Sequence, residues 1–358
     1  MGKSLMKGTE AIAEAAIQAG CKYFFGYPIT PQNEIPEYMS ARLPEEGGIY
    51  LQAESEVASI NMVMGGASTG YRVMTTSSSP GISLMSEGIS YVAMAELPCV
   101  IVNVSRGGPG LGSIMPAQGD YSQATRGGGH GDYRMIVLTP GNLQEAVDLT
   151  QDAFDLSQKY RTPVMILADG FMGQMMESVE ILPRKIEDPA SNAPWALGWR
   201  PERGGERAVV YSMRIEPEKL EPHNTHLQEK YNRIKANEAR YEHYMVEDAE
   251  LVLTSYGTTS RVCRSAINNL RAEGYKVGMM RPITAWPFPS AGLSNLPGSV
   301  KAILDVEMSA AFHMADDVRL SLSRDIPVFT TGRWGGFAPT VRHIEEKCKE
   351  LLKGDGLK

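Results

Sequence analysis

The chain has 358 residues, of which 42% are hydrophobic and 22% charged, and its formal net charge is −7. These proportions are ordinary for a globular protein, and the length allows two domains with separate cores. The negative charge argues against a surface that binds nucleic acid or an anionic membrane.

The first 182 residues alternate between helix-like and strand-like patterns. Helices are predicted over 8–19, 56–70 and 142–160, the last of them amphipathic like a crossover helix. Short apolar or β-branched runs predict strands over 22–25, 72–76, 99–104, 135–138 and 163–167. Strands separated by helices favour a doubly wound, largely parallel sheet, so we expect an α/β domain over 1–182.

The pattern changes between residues 183 and 247. Prolines recur at 183, 189, 194, 201, 217 and 222, and a charged helix is predicted over 226–246. Because Trp195 and Trp199 would be unusual in disordered chain, we interpret this segment as an arm that wraps a neighbour.

A second, smaller α/β unit is predicted over 248–358. Its predicted strands are 251–256, 276–280, 301–306 and 328–331, and its predicted helices are 260–273 and 340–352. A tail, Gly354-Asp355-Gly356, ends the chain. We do not interpret it as a magnesium-diphosphate motif, because only Leu357 and Lys358 follow it.

Four cysteines lie far apart, without a Cys-x-x-Cys pair. This spacing fits neither a zinc site nor an iron–sulfur cluster, and it is typical of reduced thiols in the cytoplasm. The N-terminus lacks a basic and then apolar signal pattern, and no apolar run approaches a membrane span. We therefore expect a cytoplasmic protein that holds no metal and contacts no membrane.

Four short segments follow strand-like runs or open helix-like runs. They are 26–31 (GYPITP), 52–56 (QAESE), 75–81 (TTSSSPG) and 103–110 (NVSRGGPG). In an open α/β sheet such junctions cluster at the carboxyl ends of the strands, where ligands bind. One sheet edge is thus predicted to carry a rigid hydroxyl at Thr30, a carboxylate at a helix start, several hydroxyls and Arg106. These are the components of a small-molecule site.

Each segment also has a purely structural interpretation. Prolines around Thr30 stiffen a turn, Glu54 and Glu56 suit a helix N-terminus, and Arg106 could be solvated. In the functional interpretation, Glu56 exchanges protons at the rim of a dry site, and Arg106 binds a carboxylate through two nitrogens. Residues 126–132 (RGGGHGD), with Arg126 and His130, could form a loop that closes over the site.

With these motifs, the chain closely resembles the α subunit of the 2-oxoacid:ferredoxin oxidoreductases, most specifically the branched-chain (3-methyl-2-oxobutanoate) type. Residues 118–120 (QGD) and 281–289 (RPITAWPFP) add to the resemblance. It implies a pyrimidine-side thiamin diphosphate-binding domain followed by a transketolase C-terminal-like domain. It also implies CoA-dependent oxidative decarboxylation of a branched-chain 2-oxoacid, with reduction of ferredoxin.

The resemblance further implies partners that complete the enzyme. A β subunit would hold the diphosphate and Mg²⁺, and [4Fe-4S] clusters would lie in β and in a ferredoxin-like δ subunit, alongside a γ subunit. Within this chain, Glu56 would bind the aminopyrimidine ring, with Glu54 as the alternative. Thr30 and Arg106 would bind the 2-oxoacid carboxylate, and Ser78 and Ser79 would lie by the pyrimidine.

Two alternatives remain open at this point. The same chemistry could act on 2-oxoglutarate or an aryl pyruvate, and Arg126 or His130 could then bind the distal carboxylate of 2-oxoglutarate. The chain could instead be a non-catalytic scaffold subunit that uses Arg106 to bind an anionic metabolite.

Overall fold

The computed structural model describes residues 2–184, 193–198, 204 and 206–353, which form two large sheets with helices packed around them. The strands are β1 Ser4–Lys7, β2 Tyr23–Gly26, β3 Ile49–Gln52, β4 Val73–Ser77, β5 Cys99–Ser105, β6 Ile136–Leu138, β7 Pro163–Asp169, β8 Met176–Val179, β9 Tyr241–Tyr244, β10 Leu251–Thr254, β11 Val277–Pro282, β12 Thr284–Trp286, β13 Ala302–Glu307 and β14 Val328–Gly332. The helices are α1 Gly8–Gln18, α2 Glu34–Glu45, α3 Glu56–Ser68, α4 Ser79–Met94, α5 Tyr121–Arg126, α6 Leu143–Tyr160, α7 Gly170–Gln174, α8 Pro217–Glu238, α9 Thr259–Ala272, α10 Ala291–Ser294, α11 Met314–Leu320 and α12 Val341–Lys353. None of these helices is long and apolar enough to cross a membrane.

The first sheet has the strand order β12-β6-β7-β5-β4-β2-β3, and β12 alone runs antiparallel to its neighbour. Every residue of β4, β5 and β7 is buried, as expected for central strands covered on both faces. Helix α1 packs on α2 and α6, whereas α3 packs on α4. Strands β2 and β4 are neighbours. The chain passes from β2 to β3 toward one edge of the sheet, and from β4 to β5 toward the other edge. The loops after β2 and β4 therefore diverge and leave a crevice at the carboxyl edge.

The second sheet has the order β14-β13-β10-β11-β9, parallel except for β9. The first sheet contains a strand from each half of the chain at its edge, because β12 belongs to the second half and pairs with β6 of the first half. An ion-pair cluster lies near this junction. The buried Arg281 contacts both carboxylate oxygens of Glu145 at 2.9 and 2.8 Å, and its Nε lies 3.0 Å from Glu242.

The arm differs from its prediction. The helix expected over 226–246 begins at Pro217 and ends at Glu238, and residues 241–244 form β9, antiparallel to β11. Pro217 did not break the helix, because a proline is tolerated in the first turn, where its missing N–H has no partner to lose. Helix α8 packs on its own chain, where Lys230 donates to Glu96 at 3.0 Å. Pro189, Trp199, Pro201 and the tail 354–356 lie outside the described residues.

The other predicted helices and strands are present, with ends shifted by no more than two residues. The described elements that the pattern missed are β1, α2, β3, α4, α5, α7, β8, β12, α10 and α11. Strands β1 and β3 have four residues each and are largely exposed, so their apolar signal is weak. Helix α2 contains Pro44 and carries a mixture of charged and apolar residues, which hides its periodicity.

We expect Arg281→Met to lower the free energy of unfolding by about 3 kcal/mol, because Glu145 and Glu242 lose the buried cation between them. Urea denaturation followed by tryptophan fluorescence measures this. Arg342→Met is the matched control, since its pair with Glu346 is 86% exposed on the arginine side and should change stability by no more than about 0.5 kcal/mol. Equal effects of the two substitutions would contradict the role of Arg281.

Candidate active site

A buried carboxylate opens helix α3. The Ser55 hydroxyl caps this helix by accepting from the Ala58 N–H at 3.2 Å, and Glu56 is the first helical residue. Glu56 is 5% exposed, and the described residues show no hydrogen bond to its carboxylate, whose oxygens are not completely shielded from solvent. Glu54, two residues earlier, is exposed. Burying a polar group without a partner costs free energy, so Glu56 is arranged for a ligand from outside the chain, whereas Glu54 is not.

Gly81 provides the space for this carboxylate. A Cβ at position 81 would lie 2.6 Å from Glu56 Oε1 and 2.0 Å from Ser77 Oγ. Any side chain there would displace both groups. The first turn of α4 and the start of α3 thus meet at one point, which a glycine keeps open.

The hydroxyls at the start of α4 divide into two kinds. The Oγ atoms of Ser77 and Ser78 are buried and have no hydrogen-bond partner within the described residues. The Ser79 hydroxyl, in contrast, donates to Asp120 Oδ2 at 2.5 Å and accepts from the Arg106 N–H at 2.9 Å. Of the two serines predicted to lie by a cofactor, Ser78 has its hydroxyl available and Ser79 is already engaged.

Arg106 and Thr30 are brought together as their motifs suggested. Arg106 is 5% exposed, and its guanidinium donates to the Thr30 carbonyl at 2.9 Å and to the Leu111 carbonyl at 3.1 Å. Its Nε is buried without a partner among the described residues. The Thr30 side chain is exposed. A buried cation that retains unused donors is suited to an anionic ligand.

Asp120 connects these groups, and the sequence interpretation gave it no role. Its Oδ2 accepts from the Ser79 hydroxyl and from Asn103 Nδ2, at 2.5 and 2.9 Å. Through Ser79 it fixes the Arg106 backbone against the start of α4. Its place in the 118–120 motif, beside the arginine loop, was the signal that could have indicated this function.

The second half of the chain holds the same edge in place. The Gln118 amide donates to the Tyr256 carbonyl at 2.9 Å and accepts from the Met308 N–H at 2.9 Å. Asp169, at the end of β7, caps α7 and accepts from the Thr258 hydroxyl at 3.0 Å. Burial raises the pKa of the Asp169 carboxyl, although these hydrogen bonds oppose the shift.

The structure does not bring Arg126 and His130 to this site. Both Arg126 Nη atoms contact the Asp317 carboxylate, at 3.1 and 2.9 Å. The His130 ring packs edge-on against Tyr91, with centroids 6.2 Å apart. Tyr91 lies twelve residues after Ser79 on α4, about 18 Å along the helix axis. The loop therefore lies along the later turns of α4 rather than over its start.

Two family models match the chain. One, described as pyruvate flavodoxin/ferredoxin oxidoreductase, thiamine diphosphate-binding, matches residues 14–248. The other, pyruvate:ferredoxin oxidoreductase core domain II, matches residues 249–344.

One relative and two solved structures are similar to the chain. Ketoisovalerate oxidoreductase subunit VorB of Methanothermobacter thermautotrophicus is 47% identical, over 98% of each chain. The 2-oxoglutarate:ferredoxin oxidoreductase from Magnetococcus marinus is 29% identical with a TM-score of 0.85, and the match covers 98% of this chain and 66% of that one. A split-gene transketolase, 14% identical over 99% of each chain with a TM-score of 0.59, shares the fold.

We expect Asp120→Ala to lower the free energy of unfolding by about 1–3 kcal/mol, because Ser79 and Asn103 lose a charged acceptor. Amide hydrogen exchange should also rise in the Arg106 loop, residues 106–112. The control is Ser83→Ala, an exposed α4 hydroxyl that donates to the Ser79 carbonyl. Unchanged exchange in the loop of the Asp120 variant would contradict the positioning role.

Proposed function

The chain belongs to the 2-oxoacid:ferredoxin oxidoreductase family, and we propose that it is the α subunit that helps convert 3-methyl-2-oxobutanoate and coenzyme A to acyl-CoA and CO₂ while ferredoxin is reduced. The expected family and the thiamin diphosphate-type α/β fold class are confirmed. The branched-chain substrate is supported by the relative named for ketoisovalerate, which is another name for 3-methyl-2-oxobutanoate. That relative is 47% identical over 98% of this chain.

The residues at the start of α3 and α4 fit the aminopyrimidine of thiamin diphosphate. That ring carries an amino donor and ring-nitrogen acceptors. The chain offers the buried residue Glu56, together with the Ser77 and Ser78 hydroxyls, which are buried without a partner among the described residues. This set of unpartnered groups is the observation that carries the proposal. When bound, thiamin diphosphate supplies the carbanion-stabilising chemistry, and the protein supplies placement and electrostatics.

Glu56 is proposed to hold a proton at the pyrimidine ring. Glu56 lies in the first turn of α3, beside the helix N-terminus. Ser55 fixes the helix start, and Gly81 leaves room for the Glu56 side chain. Ser78 would add a hydroxyl contact to the ring, whereas Ser79 positions Arg106.

Arg106 is proposed to bind the 2-oxoacid carboxylate beside Thr30. The carbonyls of Thr30 and Leu111 orient the guanidinium but do not neutralise it. A bound carboxylate would compensate the buried charge and accept from the remaining N–H groups. The exposed Thr30 hydroxyl can reach the same ligand.

We propose that partner subunits complete the enzyme. The described residues contain no group of three or more His, Cys, Asp and Glu side chains that could hold a metal ion. As the family resemblance implies, we propose that Mg²⁺ and the diphosphate are held by a β subunit and the [4Fe-4S] clusters by β and a ferredoxin-like δ subunit, with a γ subunit as the fourth chain. Exposed apolar side chains near the start of α3 and on α4, Leu51, Val57 and Leu84, support cover by a partner. The buried free thiols suit the cytoplasm.

The geometry of the site gives little support to 2-oxoglutarate as the substrate. Arg126, the cation considered for a distal carboxylate, is committed to Asp317. The scaffold alternative, in turn, would leave the buried Glu56 carboxyl without a purpose.

We expect Glu56→Gln to lower turnover by about 10²–10⁴-fold with assembly intact, because the side chain can no longer hold the proton. The assay is coenzyme A-dependent viologen reduction by the anaerobically purified complex, with 3-methyl-2-oxobutanoate, 2-oxoglutarate and pyruvate in parallel. The control Glu54→Gln removes an exposed carboxylate and should retain wild-type turnover.

Loss of activity in Glu54→Gln with near-normal Glu56→Gln would contradict the assignment of Glu56. A wild-type complex that contains neither thiamin nor iron and oxidises none of the three acids would contradict the proposed function itself.

A further inference from the structure

A cavity of about 430 Å³ opens beside Thr30. It lies between the loop after β2, the loop after β5 and the short helix α7. Most of its wall is apolar, made by Pro31, Ile114, Met115, Pro116 and Phe171. Of the residues proposed above to contact the cofactor or the substrate carboxylate, Thr30 is the one that appears among the described lining residues of this cavity.

The cavity adjoins both groups proposed to bind the substrate carboxylate. Thr30 is part of its wall, and the Thr30 carbonyl accepts from Arg106. Arg106 also pairs with Pro116, another wall residue, in an isolated antiparallel bridge. Because a 2-oxoacid carries its side chain on the oxo carbon, directly beside the carboxylate, a molecule held at Arg106 and Thr30 would have its side chain next to this cavity.

The charged residues that line the cavity determine which substrate side chains it can bind. Glu34 lines it and is paired with Lys7 at 2.5 Å and with Gln174 at 3.1 Å. Although partial burial opposes the shift, these hydrogen bonds lower the pKa of the Glu34 carboxyl, which stays ionised. The described residues that line the cavity include no Lys, Arg or His. A distal carboxylate would therefore meet Glu34 and no cation in the wall itself, since the nearby Lys7 is already paired with Glu34. An aliphatic group would instead gain apolar contact.

We propose that this cavity binds the aliphatic side chain of the 2-oxoacid and that Ile114, Met115 and Phe171 determine substrate preference. The inference rests on the proposed function and adds to it the residues that favour a branched chain. Ile114 and Met115 are 59% and 49% exposed, so substituting them should not disturb the core.

The test compares kcat/KM for 3-methyl-2-oxobutanoate, pyruvate and 2-oxoglutarate in the anaerobically purified complex. Ile114→Ala and Met115→Ala should each lower kcat/KM for the branched acid about tenfold, with a smaller change for pyruvate, because pyruvate lacks the methyl groups that contact the wall. Ile114→Arg should raise the ratio of 2-oxoglutarate to branched-acid use at least about tenfold, by adding the missing cation. The control is Leu320→Ala on α11, an aliphatic side chain that is 81% exposed.

Equal losses for pyruvate and the branched acid in both alanine variants would overturn the inference and leave the proposed function intact. A changed KM for coenzyme A with unchanged 2-oxoacid preference would also overturn it, since the cavity would then bind the thiol substrate. A wild-type complex inactive with all three acids would instead contradict the proposed function, and the inference would fall with it.

Discussion

The site depends on one constraint, a carboxyl group buried at the start of a helix without a partner from the described chain. Glu56 is 5% exposed and lies in the first turn of α3, and the helix N-terminus does not replace a hydrogen-bond donor. The Ser55 cap, the missing side chain at Gly81 and the neighbouring Ser77 all serve this arrangement. A buried group without a partner is suited to pair with a bound ligand, and we propose thiamin diphosphate as that ligand because the matching family model is described as thiamine diphosphate-binding.

The rest of the fold holds this edge of the first sheet rigid. Strand β12 from the second half extends the sheet, and Gln118 and Asp169 bond to the second half from the loops beside Arg106. Asp120 then links Arg106 to the start of α4. Positioning a substrate carboxylate and a cofactor ring within a fraction of an ångström requires such support, which explains why residues distant in sequence converge here.

The sequence predicted those features of the site that directly follow the end of a strand. The position of a strand end before α3 predicted a carboxylate at the helix start without separating Glu54 from Glu56. The clustering of strand ends placed Arg106 and Thr30 at one sheet edge, where they are in contact. The sequence could not separate Ser78 from Ser79, because the partner that engages Ser79 is Asp120, 41 residues away. Nor could it reveal that Arg126 is taken by Asp317, 191 residues away. Helix α8 was predicted in the wrong place because the prolines at 217 and 222 weaken the local sequence signal for a helix. In the folded chain, tertiary packing overrides this weak local preference.

The most direct measurement is a structure of the anaerobically purified complex with thiamin diphosphate bound. The account predicts a Glu56 carboxylate oxygen within about 3 Å of a pyrimidine ring nitrogen, and the Ser78 hydroxyl against the same ring. It also predicts that Ser79 stays bonded to Asp120. A pyrimidine ring that contacts Glu54, or that lies wholly within a partner subunit while Glu56 stays unpaired, would contradict the account.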